Sequence, residues 1–241
     1  MFTSWDSNRV GLRCDSTMFV YDVASNSVVA QKTYNGSGTP PGQVSPSGTL
    51  AFLEEAPGVV LDVATGYPTA RSLDLVDPAN HSSLGRLANG HDTWNGTVYD
   101  PGPKGNADIG ALVTWDLTTA TSTVVIGPKT GYPYPPTAHV SAMAYRRPGW
   151  VVVSTLPNGA PPASPGLLDL ELLVADTNTG KVCRVGRHRT WGKSNTHLSQ
   201  SYWAEAHAVP SPTGTRIAFA SDWGNGTTVD TYVVELPSYG K

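Results

Sequence analysis

One pattern recurs five times along this chain: an apolar strand, an acidic residue, then a small polar turn. It reads FVYDVASN at 19–26, VVLDVATG at 59–66, LVTWDLTTA at 112–120, LLVADTNTG at 172–180 and YVVELPSYG at 232–240. The acidic positions, Asp22, Asp62, Asp116, Asp176 and Glu235, are separated by 40, 54, 60 and 59 residues. That period is the length of a four-stranded antiparallel unit with variable loops. The side chain of an Asp in such a turn accepts from backbone N–H groups two or three residues on, so these acids are read as turn chemistry. DTNTG at 176–180 is likewise a turn, since the other ligands of a calcium loop are missing.

A second shared element precedes the first: a turn, then an alternating strand. SPSGTLAFLEE (45–55), RRPGWVVVST (146–155) and SPTGTRIAFAS (211–221) carry it clearly. WDSNRVGLRC (5–14) and NGHDTWNGTVYD (89–100) match it less closely. Each unit is therefore strand a, a Pro/Gly turn, strand b, a loop, strand c, the acidic turn and strand d. The fourth strands are SVVAQKTY (27–34), TARSLDL (69–75), TSTVVIG (121–127) and KVCRVG (181–186). With 25 Gly and 20 Pro in 241 residues and only 15% charged residues, long helices are disfavoured. The expectation is one all-β domain over 1–241, a β-propeller with blades at 1–34, 39–75, 80–127, 137–186 and 204–237. The last blade has no fourth strand. Two closures are open: a five-bladed ring imperfectly closed, or the C-terminal part of a propeller of about seven blades, which is favoured.

The stretch SPTGTRIAFASDWGNGTTVDTYVVEL (211–236) resembles TolB-like, PD40-type propeller repeats, whose blades read SPDG, then IAF-(T/S)-SD, then an IYVVDL-like strand. The second repeat matches fairly, and elsewhere strand c carries the likeness. The resemblance implies fold more than function. Such blades occur in periplasmic scaffolds, in peptidase propeller domains and in oligogalacturonate-lyase-like polysaccharide lyases. The lyase resemblance implies a metal, typically manganese, held by histidines and a glutamine near the axis, with an Arg nearby as base for β-elimination. His207, just before SPTG, matches that family's histidine before its SPDG turn, and HRTWG (188–192) resembles its preceding histidine loop.

In a propeller the first strand of each blade lines the central channel, so residues at its start converge. His81, His139 and His207 occupy such positions, 58 and 68 residues apart. Neutral imidazoles on an open axis suit Mn, Zn or Ni, with Gln43 as an oxygen donor, and manganese is the ion the lyase resemblance implies. The competing reading is three channel histidines satisfied by backbone and water. The long connection RHRTWGKSNTHLSQSYWAE (187–205) lands on the same face. Its catalytic candidates are Arg189, His188 and Tyr202, and its substrate-binding candidates are Arg187, Trp191, Lys193 and Trp203. Cations suit a carboxylate and flat rings suit a sugar face. Against this stands a solvated loop pinned by its two tryptophans.

A net charge of −3 and the lack of a basic run give no footprint for nucleic acid, and no apolar run is long enough to span a bilayer. No GxSxG, P-loop or HExxH is present, so neither an α/β-hydrolase nor a zincin is indicated. Cys14 and Cys183 fit no zinc spacing, and a disulfide between them is one alternative. MFTSWDSNRV lacks the features of a secretory leader, which leaves a cytoplasmic protein or one whose leader lies outside this sequence. The resemblance favours a secreted or periplasmic monomer. Two functions compete: a metal-dependent lyase or hydrolase on an acidic polysaccharide, and a non-catalytic propeller scaffold that binds protein or glycan.

Overall fold

A computed structural model describes residues 3–33, 43–53, 58–73, 82–98, 110–135, 138–156, 161, 163–199 and 201–237. Among these, eighteen strands form five small antiparallel sheets, and the only helices are three short 3-10 turns. The first sheet holds β1 (Arg9–Cys14), β2 (Thr17–Asp22) and β3 (Ser27–Thr33). The second holds β4 (Gln43–Val44), β5 (Leu50–Leu53), β6 (Gly58–Asp62) and β7 (Pro68–Leu73). The third holds β8 (Ser83–Arg86), β9 (Asp92–Thr97), β10 (Leu112–Asp116) and β11 (Thr121–Ile126). The fourth holds β12 (Ala138–Ser141), β13 (Trp150–Thr155), β14 (Glu171–Asp176) and β15 (Lys181–Arg187). The fifth holds β16 (Val209–Pro210), β17 (Arg216–Ser221) and β18 (Asp230–Glu235). Every sheet is a meander, each strand bonded to the next in sequence. The all-β expectation holds, and no fourth strand follows β18 among the described residues.

The repeated acids end the third strands and close their turns as expected. Asp62 Oδ1 accepts from Thr65 N at 3.0 Å. Asp116 Oδ1 accepts from Thr118 N at 2.7 Å. Asp176 accepts from Asn178 N at 3.0 Å and from the Thr179 hydroxyl at 2.8 Å. Glu235 departs from the pattern: its longer side chain pairs across the sheet with Arg216 at 2.7 Å.

Four apolar cores join the sheets in chain order. Met18, Val20 and Ala30 of the first meet Val44, Ala51 and Leu61 of the second. Phe52 and Leu73 of the second meet Leu84, Trp94 and Trp115 of the third. Leu112 and Ile126 of the third meet Val151, Val153 and Leu173 of the fourth, together with Leu168 from the loop before β14. Val152, Leu172 and Val174 then meet Ala208, Ile217 and Phe219 of the fifth. A sheet covered on both faces reads as a continuous apolar run, and β13, WVVVST, is buried from Val151 onward. The middle strands of the first and fifth sheets, β2 and β17, alternate instead, with one buried face each. The buried Asn95 amide is paired on both sides: its Nδ2 donates to the Ser83 carbonyl at 3.1 Å, and its Oδ1 accepts from the Thr114 hydroxyl at 2.8 Å.

Serine hydroxyls tie neighbouring sheets together. Ser83 Oγ accepts from Ala142 N at 3.0 Å, and Ser154 Oγ accepts from Ala208 N at 3.3 Å. Cys14 and Cys183 are both free and exposed, on the first and fourth sheets, so the disulfide alternative is excluded.

Candidate functional site

The side chains that meet belong to the fourth and fifth sheets. His139 is the second residue of β12 and pairs in register with Ser154 of β13. The Ser154 hydroxyl holds Ala208 N, and Ala220 N donates to the Ala206 carbonyl at 2.9 Å. The segment 205–208 is thus fixed between β13 and β17, which brings His207 over His139. Their ring centroids lie 3.9 Å apart, tilted by 47°. Glu205 completes the group: its Oε2 accepts from His139 Nε2 at 2.7 Å. One ligand atom each of His139, Glu205 and His207 lies within 4.8 Å of the others. His139 and Glu205 are buried and His207 is half-buried. His207 has φ of 40°, a left-handed conformation that costs a side-chain-bearing residue free energy and is held by its surroundings.

Two of the three histidines expected to converge, His139 and His207, therefore lie together. His81 lies outside the described residues. Gln43 is buried at the start of β4, in the second sheet. Glu205 was not singled out by sequence reasoning. It stands two residues before His207, at hydrogen-bonding reach of a histidine 66 residues away. An acid two residues before a repeated histidine was the signal available.

The connection 187–205 is built rather than loose. His188 is fully buried: its Nε2 donates to the Thr155 carbonyl at 2.8 Å, and its Nδ1 accepts from Thr190 N at 3.3 Å. Burial, partly offset by that carbonyl, lowers its pKa from 6.5 to about 4. The Thr190 hydroxyl donates to the Ala204 carbonyl. Asp222, at the end of β17, receives Trp191 N on Oδ1 at 2.8 Å and Asn195 Nδ2 on Oδ2. Asn195 Oδ1 in turn accepts from His197 N and Leu198 N at 2.7 and 3.0 Å. Gly192 runs against Glu205 with φ of 53°, where an added Cβ would lie 3.0 Å from Glu205 Cγ. The pins of this loop are His188, Asp222 and Asn195; Trp203, a substrate-binding candidate from sequence and an anchor only on the competing reading, is 63% exposed.

The remaining candidates divide by their partners. Arg187 Nη2 donates to the Pro165 carbonyl at 2.7 Å and ties down the loop before β14. Arg189 lies 5.2 Å over the Trp223 ring, and Trp223 stacks on Tyr232 at 4.8 Å. Trp191 is half-buried and Lys193 exposed. Tyr202 packs edge-on to Trp203 at 5.2 Å and lies 6.1 Å from the His207 ring. Its hydroxyl is raised above the usual tyrosine range by burial and by the Glu205 charge. Of YPYPP, Tyr132 packs on the core between the third and fourth sheets while Tyr134 is exposed.

No family model and no curated protein matches the sequence. Solved structures do. A hydrazine synthase of Kuenenia stuttgartiensis is similar with a TM-score of 0.55 at 15% identity, over 99% of this chain and 63% of that one. The chain thus spans less than two thirds of that protein's length. A putative TolB from Agrobacterium tumefaciens is similar with a TM-score of 0.50 at 14% identity, over 97% of this chain and 75% of that one. At these identities the likeness is one of fold: a TolB-like arrangement of small antiparallel sheets.

Proposed function

We propose that this chain is a β-propeller scaffold whose five meander sheets are blades, and that it binds a glycan on the face carrying residues 187–207. The fold part is supported by the sheets packing in chain order and by the likeness to the putative TolB. On this reading the open faces of the first and fifth sheets are where ring closure is made, and the protein works in the periplasm or outside the cell. The observation that carries the binding part is Trp203, held exposed beside Tyr202 on a segment clasped by buried groups. An exposed aromatic pair among polar side chains suits the C–H face and hydroxyls of a sugar. Lys193 and His197, exposed on the same segment, suit an acidic one. Titration with oligogalacturonate, followed by tryptophan fluorescence, tests it. Trp203→Ala is expected to weaken binding by about tenfold or more without changing Tm. Absence of binding by acidic and neutral oligosaccharides alike would reject the glycan reading and favour a protein ligand.

A metal-assisted lyase is the second reading, favoured by the meeting of His139, Glu205 and His207. His188, with both ring nitrogens bonded inside the protein, is poorly disposed to act as its base, and Arg187, bonded to the Pro165 and Gly166 carbonyls, to receive the substrate carboxylate. Arg189 and Tyr202 stand nearer the surface. Release of unsaturated uronates from the same oligosaccharide, read by ultraviolet absorbance, would establish it.

A further inference from the structure

We propose that His139, Glu205 and His207 bind one divalent first-row transition ion, with zinc as the reference occupant, between the fourth and fifth sheets. The inference goes beyond the glycan-binding reading and does not depend on it. Its ground is that one ligand atom from each of the three side chains lies within 4.8 Å of the others. An ion with ligand bonds of about 2.0–2.2 Å holds its ligands roughly 3.3 Å apart, so small side-chain rotations convert the present grouping into a coordination shell. Two imidazoles and a carboxylate form a nitrogen-rich set that suits zinc, manganese, nickel or ferrous iron. Calcium and magnesium take oxygen ligands, and cuprous copper prefers sulfur.

The surroundings are those of a built site. His139 is set by β12 pairing, and Ala208 next to His207 is held by the Ser154 hydroxyl. Gly192 packs against the Glu205 side chain and leaves it room that a larger residue would fill. Three protein ligands leave at least one coordination position for water or an anionic ligand. The half-buried member is His207, whose ring faces the exposed Tyr202 at 6.1 Å, so that position opens toward the aromatic pair.

The test uses the full chain carrying Cys14→Ser and Cys183→Ser, because exposed thiols bind zinc on their own. After chelator treatment, zinc chloride is titrated by calorimetry, and cobalt is added separately for visible absorption. One ion per chain is expected, with strong visible cobalt bands of a four- or five-coordinate site. His207→Ala and Glu205→Gln are each expected to lower affinity by about 100-fold. His91→Ala, in the turn between β8 and β9 and outside the group, is expected to leave it unchanged. Far-ultraviolet circular dichroism checks that each variant is folded, and the cobalt spectrum of the parent chain carries the test if one is not. No binding by the thiol-free chain, weak octahedral cobalt bands, or affinity unchanged in both ligand variants would overturn the proposal.

Discussion

His139 Nε2 and Glu205 Oε2, 66 residues apart in sequence, lie 2.7 Å apart in a site where both side chains are buried. The pair joins the first strand of the fourth sheet to the segment leading into the fifth, so it serves the fold as well as any ligand. Removing one partner of a buried polar pair exposes the other to the full cost of lost solvation. Glu205→Ala is expected to destabilise the protein by about 3 kcal/mol. Glu205→Gln, whose amide oxygen still accepts, is expected to cost about 1 kcal/mol. Urea unfolding of metal-free protein measures both.

Asp222 is the clasp of the 187–205 connection. Its two oxygens receive Trp191 N and Asn195 Nδ2 in the interior, and hydrogen bonds to a buried carboxylate are strong. Asp222→Ala is expected to cost about 3 kcal/mol and to make residues 191–199 the first site of protease cleavage. Limited proteolysis with mass spectrometry reads the second effect separately from the first.

Gly149 turns the chain between β12 and β13 with φ of 90°, and a Cβ there would run into the Asn178 side chain. Asn178 bridges sheets: its Oδ1 accepts from Ala88 N at 2.8 Å and its Nδ2 donates to the Pro148 carbonyl at 3.0 Å. Gly149→Ala is expected to destabilise by about 2 kcal/mol or more, through a strained φ and a displaced bridge together. Asn178→Ala should cost about 1 kcal/mol, since it removes the bridge alone.

His188 makes stability depend on pH. Its folded pKa of about 4 lies below its ordinary 6.5, because burial disfavours the imidazolium. The unfolded chain therefore takes up a proton first as pH falls. The contribution is fully present above about 6.5 and is lost between there and about 4, on the order of 3 kcal/mol in all. Asp6, Asp22 and Asp116, whose carboxyls are held below the usual range by hydrogen bonds, lose their contribution only further down. His188→Gln, which can still donate to Thr155, should flatten the urea midpoint between pH 6.5 and about 4 without changing the deeper acid transition.

Much of the fold was legible because it is repeated. A strand, an acid and a turn recurring at blade length mark five sheets, and the observed fourth strands at 27–33, 68–73, 121–126 and 181–187 overlie those read from sequence. The site was legible only where it is repeated too. His139, the second residue of β12, and His207, two residues before β16, belong to the repeated pattern and lie together, whereas Glu205 belongs to no repeat. Its placement depends on how a single connection folds back over Asp222, which no periodicity reports. The same reason hid His188, whose burial follows from the Thr155 carbonyl it meets and not from its neighbours in sequence.

The most direct test of the scaffold-and-binding-face account is the tryptophan indole region of a proton–nitrogen correlation spectrum during titration with oligogalacturonate. The chain has seven tryptophans, of which Trp203 is exposed on the proposed face while Trp94 and Trp115 are buried between the second and third sheets. The account predicts that the Trp203 signal shifts saturably, with Trp94 and Trp115 unmoved. Saturable shifts that leave Trp203 in place, or none at the highest ligand concentration, would contradict it.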